Sequence, residues 1–177
     1  PISKQKLTDI DLSAIDQAST KVVSLLPSPS SNNFSGRGLV IGYVQSGKTT
    51  NFMSTIAKAA DEGYRLIIVL SGTTNNLRNQ TQFRLERSLS STEDLLTGHS
   101  WHWLTSLEDD FDTSANAGNL LGSPNLRVIA VVKKNKGRLT KLLKWLEMAP
   151  AAVRAAVPML IIDDEADQAS VNSAKQK

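Results

Sequence analysis

Two short stretches of this sequence carry residue types that chemistry can use. Residues 42–49 read Gly-Tyr-Val-Gln-Ser-Gly-Lys-Thr, the G-x-x-x-x-G-K-[ST] spacing of a phosphate-binding loop. Glycines admit positive φ, so successive backbone N–H groups can turn inward as an anion nest, and a helix that follows adds the positive end of its dipole. Lys48 would reach the β- and γ-phosphates of ATP as a point charge, and Thr49 would offer its hydroxyl to Mg2+. The expected ATP-binding set is Gly42, Gln45, Ser46, Gly47, Lys48, Thr49 and Thr50. A glycine-rich turn with an exposed lysine is the plainer alternative.

The second stretch, residues 158–167, is an apolar run that ends in Asp163, Asp164, Glu165, Ala166 and Asp167. Asp164, the last aspartate before the glutamate, is the candidate for holding Mg2+ through water, and Asp163 could exchange roles with it. Glu165 is the candidate for orienting and deprotonating an attacking water. Acids that only cap a strand are the plain reading of such a run. The phosphate loop earlier in the chain favours the chemical one, with Lys48, Asp164 and Glu165 as the catalytic residues.

Positioning these groups requires a sheet. Four short apolar runs, beginning at Leu39, Arg65, Arg127 and Met159, are rich in β-branched residues and read as strands buried on both faces. Between them, residues 48–60, 75–89 and 136–148 carry helical signals, with Pro150 closing the last. Strand alternating with helix implies right-handed crossovers and a doubly wound, mostly parallel α/β sheet flanked by helices. Ahead of it, Ile10, Ala14, Ile15, Ala18, Val22 and Leu25 recur at helical spacing, predicting a helix over 8–26. Residues 27–38, rich in Pro, Ser, Asn and Gly, read as a linker. The division expected is a helix and linker over 1–38 and a single lobe over 39–177.

Ligands in open α/β sheets sit beyond the carboxyl ends of the strands, and all four runs end there in polar or glycine-rich residues. The segment from Ser71 to Asn76 precedes a helix and could hold a phosphate, with Arg78 and the run from Gln80 to Gln82 extending that surface. Lys133, Lys134 and Lys136 form a basic cluster of the kind that contacts a nucleic-acid backbone. Capping and a solvated charge cluster are the plain readings of these two segments. Residues 90–125 make an awkwardly long connection, either functional or hiding an element. Within it Trp-His-Trp-Leu-Thr, 101–105, suits a short strand, whose Trp101 and Trp103 favour core packing over base stacking. Glu108, Asp109, Asp110 and Asp112 read as an acidic loop in solvent, and His99 and His102 lack a ligand set.

Composition sets outer bounds. The chain has 177 residues, no cysteine, and 20 Lys plus Arg against 17 Asp plus Glu. A disulfide scaffold or cysteine metal site is excluded. No apolar run approaches the roughly 20 residues of a membrane span, and the opening residues lack a signal-peptide core, so a cytoplasmic location is expected. A net charge of +3 is too small to argue a nucleic-acid partner by itself.

Taken together, GYVQSGKTT, LIIVLSGTTNNLRNQTQFRL, IAVVKKNKGRL and LIIDDEADQASVN resemble, in that order, the Z-one domain. This is a P-loop ATPase region related to helicase superfamily two, found in bacterial proteins often labelled endonucleases. The resemblance spans residues 39–172. It implies a RecA-like P-loop NTPase core that uses ATP and Mg2+, with VQSGKT as nucleotide motif and DDEAD as DEAD-box-like motif. It also implies that Gly72, Thr73, Arg78 and Gln80 belong to the first nucleic-acid-contacting motif. Motors of that superfamily close ATP between two RecA-like lobes, the second supplying an arginine finger, and this chain stops shortly after DDEAD. The expectation is therefore a first motor lobe, or an excised piece of a motor, acting on nucleic acid, DNA more than RNA, with slow turnover in isolation. Two other classes stay open: an NTPase switch or small-molecule kinase without nucleic acid, and a non-hydrolysing DNA-binding module of a nuclease system.

Overall fold

A computed structural model describes residues 9–31, 34–41, 48–89, 100–111, 114–164 and 166. The chain divides into two compact units, Pro1–Glu62 and Gly63–Lys177.

In the first unit, α1 (Asp9–Ser24) packs against α2 (Lys48–Asp61). The two are tied by Lys58, whose Nζ donates to the Asp16 carbonyl at 2.8 Å and to Asp16 Oδ1 at 2.7 Å. Among the described residues, the strand expected from Leu39 does not form. Leu39, Val40 and Ile41 are 79%, 60% and 87% exposed and belong to no ladder. An apolar run is extended and buried only when a neighbouring strand takes up its backbone N–H and C=O groups, and these residues have no such neighbour among those described.

The second unit holds a four-stranded, all-parallel sheet. Its elements are β1 (Leu66–Ser71), α3 (Asn75–Leu89), β2 (Ser100–Trp103), α4 (Ala117–Gly122), β3 (Leu126–Lys133), α5 (Lys136–Met148), α6 (Ala151–Ala156) and β4 (Met159–Asp163). The spatial order is β2-β3-β1-β4. Leu66 pairs with Val128 and Met159, and Ser71 pairs with Lys133, so the strands end together at one edge. The fold is α/β, with helices flanking the sheet as expected.

Strand alternation sorts the sheet into two faces. On one, Leu66, Ile68, Val128, Ala130 and Val132 build the main core with Leu121 of α4 and Leu142 and Trp145 of α5. The Trp145 ring meets Phe111 edge-on, with centroids 5.8 Å apart, and its Nε1 donates to the Ala115 carbonyl at 2.7 Å. The other face carries Ile67, Val69, Ile129 and Val131, all fully buried. Here lies α3, which contacts β1 and β3 but sends no side chain into the main core.

Residues 90–125 hid an element. Helix α4 forms there, capped by Asn116, whose side chain accepts the Asn119 N–H at 2.9 Å. The short α6 after Pro150 was likewise unread. At six residues each, neither has the length over which helical periodicity stands out.

Candidate functional site

The connection from β1 to β2 runs through α3 on one face, moving one way across the sheet. The connection from β2 through α4 to β3, and that from β3 through α5 and α6 to β4, return on the other face. Right-handed crossovers require this change of face with direction. Helices leaving the adjacent strands β1 and β3 therefore diverge to opposite faces, a topological switch point. The crevice this topology implies lies between the loops that follow them, which the Lys134 N–H joins by donating to the Ser71 carbonyl at 3.3 Å. In open parallel sheets this is where ligands bind. The crevice is bounded by Ser71, Gly72, Thr73 and Thr74 on one side and Lys133, Lys134 and Lys136 on the other, two of the segments singled out from sequence.

The helix start on the first side is built by Thr74. Its Oγ1 accepts the Leu77 N–H at 3.3 Å and its carbonyl accepts the Arg78 N–H at 3.2 Å, an ordinary helix-start arrangement. Thr73 and Gln80 are exposed, and Gly72 is buried. Ser71 is fully buried, and its Oγ has no hydrogen-bond partner among the described residues. On the second side Asn135 caps α5, its Oδ1 accepting from Gly137 at 2.9 Å and from Arg138 at 3.3 Å. Lys136, the first residue of α5, is exposed.

Arg78, Gln82, Lys133 and Lys134, all expected at the surface, are used inside the protein. Arg78 is only 2% exposed, and its guanidinium donates to the carbonyls of Ser106, Leu107 and Asp109 and to Asn79 Oδ1. Burial lowers its pKa from the ordinary arginine value, an effect that neighbouring Asp110 opposes and Arg138 reinforces. Its place is beneath the crevice, clamping the loop of residues 104–111, so it does not present itself to a nucleic acid. One turn along α3, the buried Gln82 donates to the Thr105 carbonyl at 2.9 Å and accepts from Thr105 Oγ1 at 2.8 Å. Thr105 Oγ1 in turn accepts the Val131 N–H at 2.9 Å. Lys133 donates to Asn75 Oδ1 and lies 3.7 Å from Asp110 Oδ2. Lys134, its side chain 5% exposed, meets Asp163 Oδ1 at 2.7 Å.

Asp110 corrects the picture of a solvated acidic loop. Its side chain is 7% exposed, with Arg138 Nε at 3.3 Å from Oδ2. Phe111 beside it is fully buried in the core. Glu108 and Asp109 stay exposed, and Asp112 lies outside the described residues. Asn75, Asp110 and Arg138 thus frame a polar cleft of about 200 Å³ beside the crevice. Sequence reasoning missed them; the apolar Phe111 inside an acidic run was the available signal. A wider, shallower cleft of about 530 Å³ opens next to β2, lined in part by His102, Trp103 and Glu86. Gln82 donates to Glu86 there at 2.7 Å.

At the far strand, Asp163 ends β4 and Asp164 follows it. The Asp164 N–H donates to the Leu70 carbonyl at 2.9 Å, so the ladder runs one residue past the strand. Asp163 is in register with Leu70 of β1 and shares the α5 face with it and with Lys134, whereas Asp164 lies in the turn that leaves the strand.

Of the expected nucleotide set, Lys48 and Thr49 open α2, but their side chains lie outside the described residues. So do Gly42, Gln45, Ser46, Gly47 and Glu165. Thr50 is half-buried in α2.

No protein-family model, curated protein or solved structure matches this chain. Among the described residues, no helix is long and apolar enough to cross a membrane.

Proposed function

We propose that this chain is a RecA-like, Z-one-type P-loop ATPase lobe that acts on a nucleic acid, DNA in preference to RNA, in the cytoplasm and together with a second lobe. The reading rests on residues 42–49 and 163–165 for the nucleotide and on the crevice between the β1 and β3 loops for the polymer. The single observation that carries most weight is the topological switch point between β1 and β3. It lies at the divergence of two helices, beside the start of the fifteen-residue α3, with an exposed threonine on one side and an exposed lysine on the other. A phosphate backbone asks for donors and positive charge in such an arrangement, without base-specific groups.

In this reading Thr73, Gln80 and Lys136 face the polymer. Lys133 and Arg78 hold the crevice together from within. Asp164 is the residue assigned to a water-bridged cation in this reading, and Asp163 is paired with Lys134. Mg2+, when bound with ATP, would supply charge neutralisation between the phosphates. Lys48 and Thr49 would hold the nucleotide, and Glu165 would take the proton from water.

The test is ATP hydrolysis by the full protein with single-stranded DNA, duplex DNA and RNA at one fixed moderate salt concentration. Stimulation by one polymer supports the motor reading and names its track. Hydrolysis indifferent to all three moves the assignment to an NTPase switch. DNA binding without hydrolysis moves it to a passive binding module. Replacing Glu165 with Gln should keep ATP binding and abolish turnover, and Lys48→Ala should abolish binding in calorimetry.

A further inference from the structure

Lys133, the last residue of β3, and Lys134, which follows it, are neighbours in sequence, yet their side chains go to different partners. Each then reaches across the end of β1. Lys133 meets Asn75, at the start of the helix that follows β1. Lys134 goes further, to Asp163 on β4, the strand beyond. The span between β3 and β4 is two strand spacings, roughly 10 Å, which an extended lysine and an aspartate together cover. A lysine with only 5% of its side chain exposed retains its charge at low cost only beside a carboxylate. Asp163 is 46% exposed and gives up part of its freedom to that contact.

The acids at the end of β4 are consequently not equivalent. Asp163 faces a buried cation on the α5 side. Asp164 enters the turn after the strand, with its backbone N–H fixed to the Leu70 carbonyl of β1 at 2.9 Å. We propose that Lys134 is a positioning residue: it holds Asp163 as its counter-ion, keeps that carboxylate out of the set offered to a divalent cation, and fixes the turn entered at Asp164. The same contact joins the wall of the crevice after β3 to the strand that bears the acids. The catalytic consequence rests on the ATPase reading above; the pairing itself does not.

The experiment compares the full protein with K134M, K134R, D163N and the K134M/D163N double variant, each read in two ways. In urea unfolding, K134M and D163N should each lower stability, and the double variant should be no less stable than the weaker single one. Additive losses would overturn the pairing. In steady-state hydrolysis of Mg-ATP, K134M should lower kcat about tenfold while KM changes less than about twofold, the size expected when a group acts through another residue. D163N should lower kcat less than K134M, because no carboxylate is then left to enter the cation's set, and K134R should restore most of the K134M loss, because arginine can also meet a carboxylate across that span. A folded K134M with unchanged kcat would overturn the positioning role. So would D163N losing Mg-ATP binding while K134M keeps it, because Asp163 would then be a ligand itself. If the wild-type protein hydrolyses no ATP, the ATPase reading fails, and the unfolding cycle alone decides whether Lys134 and Asp163 act as a pair.

Discussion

The two faces of the sheet are built from different materials. Against the α5 face, α5 buries Leu142 and Trp145 on a surface of Leu, Ile, Val and Ala. Against the other, α3 buries Arg78, Thr81 and Gln82 together with Leu85 and Leu89. The first arrangement takes its stability from apolar area removed from water, which is large and non-directional. The second takes less from area and more from hydrogen bonds that specify one loop path, because a buried donor tolerates only one set of acceptors. Carbonyl groups of a loop can be buried only if something donates to them, and Arg78 does this for three residues at once. The polar face is the one on which the candidate crevice begins.

Four substitutions bear on this contrast. The largest effect is expected from Trp145→Ala, which empties the apolar face and should cost about 3–5 kcal/mol in urea unfolding. A loss below about 1 kcal/mol would mean that the α5 face is not the main store of stability. Arg78→Ala should cost about 2–4 kcal/mol, since it strands the carbonyls of Ser106, Leu107 and Asp109. Amide hydrogen exchange should also speed up across residues 104–111. If protection there were unchanged, the polar face would not be specifying that loop. Gln82→Ala removes one donor and one acceptor around Thr105 and should cost about 1–3 kcal/mol, again localised to the same loop. The smallest effect falls on Lys136→Ala, which leaves both faces intact. Stability should stay within about 0.5 kcal/mol of wild type. Binding to DNA should weaken uniformly across sequences, with the salt slope reduced by about 1. An unchanged salt slope would take Lys136 off the polymer track.

Much of this architecture was readable from local pattern. Three of the four expected strands form within a residue of their predicted starts. The helices expected over 75–89 and 136–148 form at those bounds, because each is opened by a capping residue, Thr74 or Asn135. The short strand at Trp101 to Trp103 was also readable from its aromatic content. Other features followed less well. The run at Leu39 has the composition of a strand, but strand formation is decided by a partner that composition does not name. Helices α4 and α6 are too short for periodicity to distinguish. Arg78 and Asp110 were read as surface groups because charged residues usually are; nothing local distinguishes a buried, paired charge from a solvated one.

By itself the sequence determined the α/β class, the alternation of elements and the polar character of the strand ends, since these depend on spacing and composition over a few residues. It also held the phosphate-loop pattern and the acidic run, whose chemistry is a matter of residue type. Only the tertiary structure decided which strands are neighbours, and therefore that the crevice opens between the β1 and β3 loops. It also decided that consecutive lysines take different partners, one Asn75 and one Asp163. Those outcomes depend on strand order and on which charges burial brings together. Such contacts join residues tens of positions apart, and no local pattern records them.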